Sequence, residues 1–327
     1  MTKMGANAGM INQTRIILNS IWSNGGILSR CLIWIPSVAL GLVLAGCAGS
    51  PPRTPEPPPA PVPVVQKKPP RLGLALGGGA ARGFAHVGVI QVLEEAGIRP
   101  DLVVGTSAGS LVAAFYASGK NGVQLQQMAE TMDEATFTDW TLPIFSRGML
   151  RGEALARYVG TQVGGRPIQD MALPLGIVAT DLQSGQGVLF RQGDTGTAVR
   201  ASSAVPSVFQ PVRISGRDYV DGGLVAPVPV RYAREMGAEL VLAVDISSPP
   251  EGNAADGSLQ ILLQTFAIMG KTINSFELRD ADVVLRPVLN GIGSADFGAR
   301  RRSIAAGRLA MQQALPQLRK LLAAHAL

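Results

Sequence analysis

Asp101-Leu-Val-Val-Gly-Thr-Ser-Ala-Gly-Ser-Leu-Val-Ala-Ala-Phe-Tyr116 sets a glycine-flanked serine between two apolar runs. The first run is short, as a buried strand is, and the second is long enough for a helix. The turn between them, Gly105-Thr106-Ser107-Ala108-Gly109, matches the Gly-x-Ser-x-Gly nucleophile elbow. A serine at a sharp strand-to-helix turn has strained dihedrals, and glycines two positions either side prevent side-chain clashes. The turn lifts the hydroxyl off the backbone and aims a helix N-terminus at a developing oxyanion. Ser107 is therefore the candidate nucleophile, with Gly105 and Gly109 as its flanks; a glycine-rich turn capped by a serine is the plainer alternative.

Upstream of this segment, 72–76 reads as a buried strand running into Gly77-Gly-Gly-Ala-Ala-Arg-Gly83 and a helix over 84–96. Downstream, helices are expected at 123–132, 152–163, 259–278 and 301–322, and strands at 175–179, 188–191, 219–220, 240–245 and 283–285. Alternating strands and helices imply an α/β fold in three layers, α/β/α, around a mostly parallel sheet.

The glycine loop is not a nucleotide cradle. Counted from Gly77, the sixth position of a dinucleotide fingerprint is Arg82, and no Gly-Lys-Ser/Thr ending follows. What remains is a strand-to-helix loop whose backbone N–H groups can serve an oxyanion.

Composition narrows the chemistry. The 327 residues carry a formal charge of +6, with aromatic residues at 5% and 39 glycines. The cations are scattered apart from Arg300-Arg301-Arg302 and are not interleaved with aromatic residues, which argues against nucleic acid as a partner. The two cysteines, Cys31 and Cys47, precede the folded region, and the histidines are His86 and His325, so neither a thiolate nor a three-histidine metal site is expected.

The base is then the open question. The order Ser107…Asp221…His325 fits an α/β-hydrolase triad, but His325 lies beside the C-terminus, where chains fray. Asp221 follows a strand end and opens Asp221-Gly222-Gly223, a position from which sheet enzymes present side chains. A carboxylate can deprotonate a serine if burial raises its basicity, although Asp-Gly-Gly alone is also an ordinary turn.

The N-terminus reads as an address. Residues 1–46 hold scattered cations, an apolar run over 31–44 and the small-residue ending Leu44-Ala45-Gly46 before Cys47, the pattern of a secretory signal. Leu44-Ala-Gly-Cys47 resembles the lipobox of bacterial lipoproteins, which implies lipidation at Cys47 and a membrane anchor. Ala48 after the cysteine points to the outer membrane, facing the periplasm. Residues 47–70 are proline-rich, an extended spacer, and 71–327 form the catalytic domain.

Three segments in order, Gly77–Gly83, Gly105–Gly109 and Asp221–Gly223, together resemble the patatin-like phospholipase family, as do Val178-Ala-Thr-Asp-Leu182 and Ala201-Ser-Ser-Ala-Val-Pro206. The resemblance spans about 72–289. It implies a Ser107–Asp221 dyad in place of a triad and an oxyanion hole in the glycine loop, at Gly78, Gly79, Ala80 and Arg82, the last at the family's basic position, where it adds a positive charge or simply holds the loop. Plant patatins carry aspartate where this chain has Gly77 and glycine where it has Ala80. Asp181 is expected to form a turn before Leu-Gln-Ser-Gly. The implied activity is hydrolysis of phospholipid or another lipid ester through an acyl-enzyme, with no metal and no cofactor required. An esterase using His325 and a non-catalytic lipid-binding lipoprotein are the competing readings. The sequence does not address oligomeric state, and 261–269 are expected to be core rather than an acyl channel.

Overall fold

The computed structural model describes residues 69–132, 139, 148–251 and 256–325, all within a compact unit from Pro63 to Leu327. The signal segment, Cys47 and nearly all of the proline-rich spacer lie outside the described residues.

The sheet is built around β1 (Leu72–Leu76), which pairs in parallel with β2 (Leu102–Thr106) on one side and β9 (Leu240–Val244) on the other. Beyond β9 lies β10 (Val283–Leu285), and beyond β2 lies β4 (Leu175–Asp181), both also parallel. The expectation of a mostly parallel sheet holds to this point. Past β4 the direction reverses: β8 (Arg217–Asp221) and β5 (Gly187–Phe190) pair antiparallel with β4, and β7 (Val212–Ile214) with β8. A separate parallel pair joins β3 (Gly148–Leu150) to β6 (Ser207–Phe209).

Alternation along β1 sorts its residues between two cores, because successive strand side chains point to opposite faces. Leu72, Leu74 and Leu76 enter the core built with α1 (Phe84–Glu95), α2 (Ala108–Ala117), α3 (Gly122–Thr131), α4 (Glu153–Gln162) and α8 (Arg300–Ala324). Ala75 enters the core under α6 (Val230–Glu235). Both faces of β1 are covered, which is why it reads as a continuous apolar run.

Small residues set the spacing between layers. A side chain at Gly88 would meet the Ile304 carbonyl oxygen at 2.0 Å, and one at Gly307 the Ala85 carbonyl oxygen at 1.9 Å. Reciprocal glycines thus let α1 and α8 pack backbone to backbone. Alanine at either position would force the two helices apart.

Two further helices complete the fold: α5 (Thr195–Ser202), capped by the Asp194 carboxylate accepting from the Thr197 N–H at 2.7 Å, and α7 (Ser258–Glu277). Helix α7 corrects one expectation. Ile261, Ile268 and Met269 are about half exposed, so this stretch is neither core nor acyl channel. A hydrophobic pattern shows that a helix has an apolar side, but not that anything covers it.

Candidate active site

Ser107 sits between β2 and α2 with φ 53° and ψ −124°, a conformation that non-glycine residues rarely adopt. Its surroundings hold it there. The Ser107 N–H donates to Ser202 Oγ at 2.9 Å, and that hydroxyl donates onward to the Val178 carbonyl at 2.6 Å. The Ser107 carbonyl accepts from the Ser110 N–H at 2.8 Å and from Ser110 Oγ at 2.6 Å. Both flanking glycines are sterically required: a side chain at Gly105 would meet the Gly109 carbonyl oxygen at 2.4 Å, and one at Gly109 the Leu76 carbonyl oxygen at 2.1 Å. This is the tight crossing the pentapeptide implied.

Asp221 arrives from the far side of β4. It ends β8, where it stands opposite Ala179 in the antiparallel ladder, and its N–H donates to the Ala204 carbonyl at 3.0 Å. The next residue must be glycine, because a side chain at Gly222 would meet the Val178 carbonyl oxygen at 2.2 Å. The chain can therefore turn back under β2. The Asp221 carboxylate accepts from the Gly223 N–H at 2.7 Å and lies near enough to the Ser107 hydroxyl to feel its polarity. Burial pushes its pKa up to about 6, against the lowering pull of the Gly223 N–H and the Ser107 hydroxyl. A carboxyl with this basicity is ionised at neutral pH yet far better at accepting a proton than an ordinary aspartate.

The glycine loop is braced from behind. His86 Nε2 donates to the Gly77 carbonyl at 2.8 Å, and the Gly78 N–H donates to the Pro227 carbonyl at 2.9 Å, so both ends of one peptide group are occupied. This corrects the assignment of Gly78 as an oxyanion donor. Gly78 instead lets the loop approach the nucleophile, since a side chain there would lie 3.1 Å from Ser107 Cβ. The N–H groups of Gly79 and Ala80 have no partner among the described residues, and neither does that of Ala108, the first residue of α2. These three are the donors left for an oxyanion. Ala80 adopts φ 51°, the left-handed region that favours glycine.

Arg82 is a second correction. Its backbone N–H and Nε both donate to the Gly79 carbonyl, at 3.2 and 3.4 Å, and its side chain lies behind the loop rather than over Ser107. It positions a donor peptide and is not itself an oxyanion donor.

Neither histidine is placed to act as base. His86 is fully buried, and burial lowers its pKa to about 4, which keeps it neutral. His325 caps α8, exposed, with Nδ1 against the Leu321 carbonyl of its own helix. Asp181 forms the expected turn, accepting from the Gln183 and Ser184 N–H groups at 2.9 and 3.0 Å and pairing with Arg217. The functional residue that sequence reasoning passed over is Ser202. It lies inside Ala201-Ser-Ser-Ala204, but nothing local marks it as the acceptor for a backbone N–H ninety-five positions earlier.

Ser107 opens onto a cavity of about 320 Å3. Its walls are apolar, with Phe84, Leu111, Phe115, Met128, Leu155 and Phe209 among them. That is the size and lining of a small-ligand site for something greasy. The cavity is walled mainly by α1 to α4 and the 205–209 segment.

Comparison with known proteins agrees with this architecture. Residues 74–234 match the family model described as patatin-like phospholipase. An uncharacterised NTE family protein of Mycobacterium tuberculosis is 36% identical over 201 residues, covering 61% of this chain and 56% of that protein. Human patatin-like phospholipase domain-containing protein 6 is 35% identical over 188 residues, 55% of this chain and 14% of that protein. This chain therefore spans about half the length of the mycobacterial relative and a small part of the human one. The solved structure of VipD from Legionella pneumophila superposes with a TM-score of 0.51 at 16% identity, covering 79% of this chain and 68% of VipD, a likeness of fold. The elbow, the glycine loop and the Asp-Gly-Gly turn all fall within the matched segment, and residues 74–234 belong to the patatin-like phospholipase family.

Proposed function

We propose that this protein is a serine acyl-ester hydrolase acting on membrane lipids, a phospholipase A or lysophospholipase, through a Ser107–Asp221 dyad. The observation that carries this reading is Ser107, held at a strained elbow in the wall of an apolar cavity, with the buried Asp221 carboxyl, its pKa raised to about 6, close to its hydroxyl.

Asp221 takes the Ser107 proton as Oγ attacks the ester carbonyl carbon. The oxyanion is received by the N–H groups of Gly79, Ala80 and Ala108, each such donor contributing about 3–4 kcal/mol to transition-state stabilisation. Collapse breaks the ester bond, and Asp221 returns the proton to the departing alkoxide. Water, deprotonated by Asp221, then attacks the acyl-enzyme; the fatty acid leaves and Ser107 regains its proton. The apolar cavity receives the acyl chain. Anchoring to the cell envelope through lipidated Cys47 belongs to the same reading.

The test is a panel of phospholipid, lysophospholipid and neutral esters, run with wild type and Ser107→Ala, together with fluorophosphonate labelling. A Ser107-dependent adduct and Ser107-dependent release of fatty acid are expected. A protein that binds lipid but forms no adduct overturns the catalytic reading. Cys47→Ser is expected to move the protein from the membrane to the soluble fraction.

A further inference from the structure

Behind the glycine loop lies a second cavity of about 820 Å3, with Arg82, Asp245, Ser247, Arg286, Asn290 and Ser294 in its walls. Arg82 is 5% exposed, and burial lowers its pKa against the raising influence of Asp245. Its Nε makes only the long contact with the Gly79 carbonyl. Among the described residues, its two terminal nitrogens have no hydrogen-bond partner and no ion pair includes it. The nearby carboxylate is engaged elsewhere: Asp245 takes Arg286 Nε at 3.5 Å and accepts from the Ser247 N–H at 3.0 Å. Glu251, at the rim, pairs with Lys271. Two guanidinium groups therefore share one carboxylate, and the cavity keeps a positive surplus.

A buried cation without partners is costly, and the guanidinium fork fits the oxygens of a carboxylate or phosphate. Ser247, Ser248, Gln260, Gln264 and Asn290 make these walls polar, which suits a phosphate group better than a fatty acid. We propose that this second cavity binds a phosphate-bearing anion between Arg82 and Arg286, and that its occupancy is transmitted to the oxyanion donors. The link is one planar peptide group. Its carbonyl, on Gly79, is held by Arg82, and its N–H, on Ala80, which lines the Ser107 cavity, has no partner among the described residues. An anion that anchors the guanidinium steadies that carbonyl and hence the donor at the other end. The coupling rests on the proposed role of Ser107; the binding does not.

Calorimetric titration of the Ser107→Ala protein with glycerol 3-phosphate and, separately, inorganic phosphate at constant ionic strength tests the site without any turnover. Saturable one-site binding is expected, weakened roughly tenfold or more by Arg286→Gln and by Arg82→Gln. Arg286 is largely exposed, so its variant keeps the test alive if Arg82→Gln fails to fold. Tighter binding of glycerol phosphate assigns the site to a lipid headgroup, and equal binding to free phosphate. In the wild type, kcat on a soluble, uncharged short-chain ester should rise about twofold or more with the anion while KM holds, a response lost in Arg286→Gln. No saturable binding, or binding indifferent to Arg286→Gln, overturns the site. Binding with unchanged or lowered kcat overturns the coupling.

Discussion

The elbow and the glycine loop follow neighbouring parallel strands, and each holds a non-glycine residue at positive φ: Ser107 at 53° and Ala80 at 51°. Their treatment is opposite. At the elbow the backbone N–H and carbonyl of Ser107 are both satisfied, through Ser202 and Ser110. In the loop the Gly77 carbonyl, the Gly78 N–H and the Gly79 carbonyl are tied down, whereas the Gly79 and Ala80 N–H groups have no partner among the described residues. A nucleophile must be aimed before substrate arrives, so its strained backbone is over-determined by contacts. Oxyanion donors must meet a charge that exists only during reaction, so they are held from behind and open in front.

The largest expected effect is at the elbow itself. Ser107→Ala should reduce ester turnover by about 10^4-fold or more with the fold unchanged, read by steady-state kinetics and circular dichroism.

Next is Asp221→Asn, expected to lower kcat by about 10^2–10^4-fold. In the wild type, kcat/KM should fall as the pH drops through about 6, where this carboxyl takes up its proton. The sign for stability is the reverse of the usual aspartate case. The folded pKa of about 6 lies above the ordinary aspartate value of 3.8, so the fold favours the protonated form. That contribution is complete below pH 3.8 and is lost as the pH rises through 6. At pH 8 the asparagine variant should therefore be more stable than wild type, by up to about 3 kcal/mol, in chemical denaturation.

Ser202→Ala separates the two turns more sharply. It strips the partner from the buried Ser107 N–H, and should cost about 1–3 kcal/mol of stability and roughly tenfold in kcat. The smallest effect is expected at the loop. Ala80→Gly relieves a left-handed alanine and should stabilise by less than about 1 kcal/mol, leaving kcat within about twofold. A neutral Ser202→Ala together with a crippling Ala80→Gly would invert the contrast between the two turns.

Much of this could be read in local pattern. The buried strand before Gly77, the serine between close glycines and the helices that follow depend on neighbours a few positions away, and the structure reproduces them within a residue or two. Helices α5 and α6 went unread: both are short, and Thr195–Ser202 has no strong apolar stripe to announce it. The antiparallel half of the sheet was equally silent, since a strand carries no mark of its partner's direction.

Taken alone, the sequence determined which residue types stand at each turn: a serine that could attack, an aspartate that could accept a proton, and a loop rich in backbone donors. Only the tertiary structure decided which of those groups are available. It brought Asp221 under β2 from a strand beyond β4, gave the Gly78 N–H to Pro227, and turned Arg82 away toward a second cavity. The reason is that a backbone N–H or a guanidinium carries the same chemistry everywhere along a chain, whereas its freedom to use it depends on what long-range packing sets opposite.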